Sequence, residues 1–132
     1  MTDKLKKTNS QWQQQLSDEQ YRVTREAGTE APFSGSYYLH GEIGQYHCIC
    51  CKQPLFSSHD KFHSECGWPS FSSQIESGAI SQHTDFSHGM SRTEVRCQNC
   101  DAHLGHVFDD GPAPSNLRYC INSVALDFNA DK

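Results

Sequence analysis

The chain has 132 residues, 35% of them hydrophobic and 20% charged, which suits one compact domain with a slightly thin core and argues against disorder. Lys and Arg number 11 against 16 Asp and Glu, a net charge of −5, and beyond Lys4, Lys6 and Lys7 the cations are scattered; this disfavours a polyanion-binding role, and the expectation is no nucleic-acid partner. No apolar run approaches the roughly 18 residues that span a bilayer, and no apolar segment follows the N-terminal lysines, so the expectation is a cytoplasmic protein with no membrane partner. A single domain is expected over residues 1–132, with 1–9 flexible.

A short helix is predicted around Ser10 to Leu16. Ser17-Asp18-Glu19-Gln20 is a capping box that opens a second helix carrying Tyr21, Val23 and Thr24 and stopping near Gly28. From Ala31 onward Gly, Pro and Ser interrupt the chain every few residues, and the remainder reads as strand and loop. Strands are predicted at Gln45–Cys48, Gln53–Phe56, Thr93–Cys97, His106–Phe108, Arg118–Asn122 and Val124–Phe128, with a turn at Asp110-Gly111-Pro112. The fold class is therefore mostly β.

Seven cysteines, an odd number, stand without a secretory signal, which turns the reading from a disulfide framework to metal or thiol chemistry. Cys48 and Cys51 form one CxxC, and Cys97 and Cys100 form another. Two such knuckles brought together make a closed tetrahedral four-thiolate site for one structural zinc ion. Their separation far exceeds the about 15–20 residues of a small zinc ribbon, so the metal would staple two distant hairpins. A structural zinc contributes about 10–16 kcal/mol, as much as the about 5–15 kcal/mol that holds an ordinary domain together. No βαβ pattern surrounds either motif, which disfavours a redox CxxC. Cys50, inside the first knuckle, reads as a passenger.

Cys66 and Cys120 remain. In the strand Arg118–Asn122 the side chains alternate, so Cys120 shares a face with Arg118 and Asn122, where a cation and an amide would favour its thiolate. The segment alone equally admits an inert buried cysteine near a strand end. Trp68, in the loop after Cys66, is either loop-covering core or the apolar wall of a pocket. His103 and His106 follow the second knuckle; surplus to four thiolates, they are the right residue type for proton transfer near neutral pH.

CGWPSF (Cys66 to Phe71), CQNCDAHLGHVFDDGP (Cys97 to Pro112) and RYCINS (Arg118 to Ser123), with the CxxC at Cys48 and Cys51, together resemble the B-type peptide-methionine (R)-S-oxide reductases, in order from about Ser17 to Phe128. The sequence departs from the family's pattern at Cys50, an extra thiol, and at Glu65, where a small residue is more usual. The resemblance implies two antiparallel sheets with short N-terminal helices, and a zinc site away from the active site. It also implies Cys120 as nucleophile, Cys66 as resolving thiol and Trp68 as the group receiving the substrate's S-methyl. His103, His106 and Asn122 would shape and polarise the sulfoxide site. The implied substrate is the R epimer of methionine sulfoxide, chiefly protein-bound, and the implied reductant is thioredoxin, acting on a monomer. The rival expectation is a non-catalytic zinc-scaffold binding module, which has no need of a thiol on the polar face beside Arg118.

Overall fold

A computed structural model describes residues 8–38, 40–64, 66–76, 78–86 and 91–130. Glu65 and residues 1–7 of the expected flexible tail lie outside the described residues, while Thr8 and Asn9 already belong to the first helix and its cap. Helix α1 (Asn9–Gln15) starts at a capping box of Thr8 and Gln11, and α2 (Asp18–Arg25) starts at the predicted box of Ser17 and Gln20. In each, the N-cap hydroxyl accepts from the amide three residues on, and the glutamine side chain accepts from the N-cap amide. Amides that a helix start leaves without intrahelical partners are thereby satisfied. Trp12 and Val23 turn inward, and the Arg25 guanidinium lies over the Trp12 ring at 4.5 Å. Among the described residues no helix is long and apolar enough to cross a membrane.

The rest is two antiparallel sheets, as expected. One has three strands in the order β2 (Pro54–Ser57), β1 (Gly44–Cys48), β9 (Leu126–Ala130). The other has six, in the order β3 (Lys61–Phe62), β4 (Ser70–Phe71), β8 (Arg118–Ile121), β7 (His103–Phe108), β6 (Arg92–Cys97), β5 (Ile80–Asp85). Their apolar faces meet through aromatic rings: Phe56 stacks on Phe71 at 4.5 Å, and Tyr46 meets Phe71 edge-on at 5.2 Å. Leu55, Val95, Leu104 and Ile121 are fully buried around them, each such side chain contributing about 1.5–3 kcal/mol. The opposite face of the six-stranded sheet is polar.

Three strands escape sequence prediction. β5 is an edge strand with only Ile80 buried, so it lacks apolar alternation, and β3 and β4 have two residues each, too few for a pattern. The C-terminal strand starts at Leu126 rather than Val124, because Ser123–Ala125 form a 3-10 turn held by the Ala125 amide on the Asn122 carbonyl and by the Val124 amide on the Glu30 carboxylate. β7 starts at His103 rather than His106. It carries a bulge: Val95 pairs with Gly105, but Arg96 pairs with His103, so Leu104 is the extra residue.

That bulge decides which side chains face where. Leu104 enters the core with no exposed surface, while His103 stays on the polar face with His106, their rings 5.6 Å apart. Beside it β7 and β8 approach so closely that a Cβ on Gly105 would lie 2.0 Å from the Cys120 carbonyl oxygen. Gly105→Ala is therefore expected to push the two central strands apart at a cost of about 1–3 kcal/mol, seen as a lowered urea midpoint.

Candidate active site

Cys120 lies on β8 between two register partners, His106 on β7 and Ser70 on β4. Cys66 enters from the loop before β4, its Sγ 3.5 Å from Cys120 Sγ, 3.4 Å from Ser70 Oγ and 3.3 Å from the Trp68 carbonyl oxygen. The loop reaches this position through Gly67, whose φ of 96° lies in the left-handed region and whose Cβ would meet Pro32 at 2.6 Å, so only glycine fits. A cavity of about 210 Å³ opens here, lined by Cys66, Trp68, His106, Arg118, Cys120 and Asn122 among others. Of the six predicted site residues, five line it. His103 stands behind, 5% exposed, touching the cavity only through the ring of His106.

Trp68 donates its indole N–H to the Glu30 carbonyl at 3.0 Å, and the Glu30 amide donates to Asn122 Oδ1 at 2.9 Å. Asn122 in turn gives both its backbone N–H and its side-chain N–H to the Leu104 carbonyl, each at 2.9 Å. The carboxamide is thus a bracket on the β7 bulge, and Glu30 ties that bracket to the tryptophan. Burial pushes the Glu30 carboxyl above the usual carboxylate range, against the amides of Ser123 and Val124. Nothing in the sequence marked Glu30, which belongs to no chemical motif.

The two thiols differ in ionisation, and not as the sequence suggested. Cys120 was expected to have its thiolate favoured by Arg118 and Asn122. Instead burial pushes the Cys120 thiol well up, and the charge of nearby Cys66 adds to the effect. Arg118 opposes this only in part, because its guanidinium is held by Asp110 at 2.8 and 3.2 Å, and the Asn122 amide is spent on Leu104. For Cys66 burial works against ionisation too, but Ser70 and the Trp68 backbone outweigh it and hold that thiol below its ordinary value. Two thiols this close resist joint ionisation, and of the two Cys66 ionises the more readily.

Each imidazole has its own carboxylate. His103 Nδ1 lies 2.7 Å from Glu94 Oε2, whose other oxygen accepts from Arg96 Nη2 at 2.9 Å. Burial lowers the His103 pKa despite Glu94, while hydrogen bonds from Arg96 and His103 hold Glu94 low against its own burial. A neutral imidazole therefore donates to a charged carboxylate. His106 Nε2 lies 2.8 Å from Asp85 Oδ2, to which Arg92 Nη2 also reaches at 3.3 Å. Asp85 and Arg92 escaped sequence reading because the edge strand that carries Asp85 was itself unseen.

The predicted metal ligands Cys48, Cys51, Cys97 and Cys100 come together, all four Sγ atoms within 4.8 Å of one another. They are the only such group among the described residues. Cys48 and Cys100 lie 3.6 Å apart, as do Cys51 and Cys97, close to the roughly 3.8 Å edge of a tetrahedron with metal–sulfur bonds of about 2.3 Å. The knuckles are copies of one another. The Cys48 amide bonds Gln53 O and the Lys52 amide bonds Cys48 O, while the Cys97 amide bonds Ala102 O and the Asp101 amide bonds Cys97 O. Lys52 and Asp101 both take left-handed φ, 67° and 63°. One knuckle belongs to each sheet, so a metal ion here would join them. Cys50 is buried beside the cluster, and its carbonyl accepts from the Gln15 side chain at 2.6 Å. Cluster and cavity share no residue.

The sequence profile of the SelR domain matches residues 16–130. A protein of Chromohalobacter salexigens named peptide methionine sulfoxide reductase MsrB is 57% identical over 130 residues, covering 98% of both chains. Proteins of the same name from Hahella chejuensis and Pseudomonas syringae pv. syringae are 56% and 61% identical, covering 97% and 95% of this chain and 92% and 95% of their own. A profile spanning most of the chain and relatives matching it nearly end to end agree with the motifs at Cys66, Cys97 and Cys120: this chain belongs to the SelR-domain family of B-type peptide-methionine sulfoxide reductases.

Proposed function

We propose that this chain reduces the R epimer of methionine sulfoxide, chiefly in proteins, to methionine, with Cys120 as nucleophile and Cys66 as resolving thiol. The observation that carries the reading is the pair of sulfurs 3.5 Å apart in a cavity walled by Trp68 and His106. The Cys120 sulfur attacks the sulfoxide sulfur while an imidazole gives the sulfoxide oxygen a proton, since that sulfur is only weakly electrophilic. The oxygen ends on Cys120 as a sulfenic acid, the Cys120 thiol proton replaces the one the imidazole gave, and the substrate leaves as the thioether. Cys66 then attacks the sulfenic sulfur, forming the Cys66–Cys120 disulfide and releasing water. The depressed Cys66 thiol suits it to this second step, because the thiolate is the attacking species. An external dithiol, by resemblance thioredoxin, takes the two electrons' worth of oxidation away.

Protein-bound substrate is supported by the half-buried state of Cys66, Trp68 and His106, which leaves the cavity reachable by a side chain still attached to its chain. Epimer choice follows if Trp68 takes the methyl group and the imidazole side takes the oxygen, because the third substituent then has one direction left. The thiolate set and its spacing favour zinc, one structural ion per chain, outside the reaction itself. Free thiols and a four-thiolate metal set suit a reducing, cytoplasmic compartment. The exposed large apolar residues, Phe33, Ile43 and Phe86 among those described, do not call for a partner subunit, so a single-domain monomer is the working form. A non-catalytic scaffold would leave the paired thiols in the cavity without a use.

Separated R and S epimers of a methionine sulfoxide peptide, incubated with the protein and dithiothreitol, should show consumption of R alone; equal turnover would refute the epimer assignment. Cys120→Ser should abolish even a single turnover. Cys66→Ser should still form stoichiometric methionine, with thioredoxin-driven cycling sharply reduced and dithiothreitol restoring part of it. Iodoacetamide on the resting protein should label Cys66 faster than Cys120, and the Cys66 reaction should persist to lower pH than that of an ordinary thiol, since its folded pKa is depressed. Ser70→Ala should narrow that gap. Metal analysis should return one zinc per chain, and Cys97→Ser should yield a metal-poor, easily unfolded protein.

A further inference from the structure

We infer that Asp85 is the positioning residue of His106, fixing its proton on Nε2 so that Nδ1 is the nitrogen through which protons pass to and from the cavity. This rests on the sulfoxide-reduction reading and adds a residue to it. Glu94 is the register partner of His106 on β6, and simple pairing would make it the carboxylate nearest that ring. Its oxygens are instead committed to His103 Nδ1 and Arg96. His106 reaches past β6 to the edge strand β5, where Asp85 takes Nε2 at 2.8 Å. Asp85 is in turn braced by Arg92, its register partner, at 3.3 Å.

The two neighbouring imidazoles are consequently held by opposite nitrogens. An ionised carboxylate can only accept, so a neutral ring bonded to it carries its proton on the bonded nitrogen. His103 keeps Nδ1–H and is left with Nε2, which is buried without a hydrogen-bond partner. His106 keeps Nε2–H and is left with Nδ1 on a ring that lines the cavity together with Cys120, its register partner on β8. The proton that leaves the Cys120 thiol, taken up at Nδ1, makes that nitrogen the donor to the sulfoxide oxygen, and passing it to that oxygen restores an acceptor. Asp85 takes no proton itself; it orients the ring and stabilises the cation formed in between. In Asp85→Asn the amide can donate to Nε2, which moves the ring proton to Nδ1 and removes the acceptor.

The test combines ring-nitrogen NMR of His106 in the reduced, metal-loaded protein with single-turnover reduction of the R-sulfoxide peptide. Wild type should show the neutral ring protonated on Nε2. Asp85→Asn should shift population to Nδ1–H and slow the single turnover at least ~10-fold, a fall of the kind that a wrong tautomer produces. Asp85→Glu should recover the Nε2–H form and part of the rate, and Glu94→Gln should leave the His106 tautomer as it was. A wild-type His106 protonated on Nδ1 overturns the inference whatever the variants do. So does an Asp85→Asn protein with the wild-type tautomer or the wild-type rate. A wild type that reduces neither epimer would count against the proposed reaction, while the NMR result would still judge Asp85.

Discussion

The approach of β7 to β8 at Gly105 is the constraint on which the candidate site depends. Without a Cβ there, the two central strands close until the position a side chain would occupy lies 2.0 Å from the Cys120 carbonyl oxygen. That closeness sets Cys120 opposite His106, and the adjoining bulge sends Leu104 into the core and His103 to the polar face. Asn122 locks the bulge through two hydrogen bonds to a single carbonyl. A polar group buried this deeply costs about 1–3 kcal/mol when left unpaired, so the bracket and the bulge stabilise one another.

Around this frame, burial and specific partners compete over the two thiols and over Glu30, Glu94 and His103. Burial wins at Cys120, where the nearest cation is already committed to Asp110. Partners win at Cys66, on which Ser70 and the Trp68 backbone converge. The imidazoles divide by position: one is sealed behind the cavity with Glu94, the other lines it with Asp85 at its back.

The cysteine cluster solves a different problem. The sheets meet through aromatic contacts such as Phe56 on Phe71 and share no strand. Two identical knuckles, one per sheet, meet at four sulfurs. The N-terminal helices close over this end: Arg25 bonds the Cys100 carbonyl at 2.9 Å and Gln15 the Cys50 carbonyl. A metal ion held by these four sulfurs would join the sheets without entering the candidate cavity.

Local chemistry made much of this legible in the sequence. The Ser17 capping box, the paired CxxC spacing, the alternation that puts Cys120 on a polar face and the motifs around Cys66 and His103 are each set by a few neighbouring residues, and the structure has them where they were read. The glutamate and aspartate that hold the imidazoles, the Glu30 link between Trp68 and Asn122, and the bulge at Leu104 were not legible. Each joins residues distant in the chain or on other strands, and β5, which carries Asp85, has no apolar alternation to announce it. Ionisation of the thiols was misread for the same reason. Arg118 next to Cys120 in a strand is a local fact, whereas Asp110 occupying that arginine, Leu104 occupying the Asn122 amide and the depth at which Cys120 lies are settled only when the strands pack.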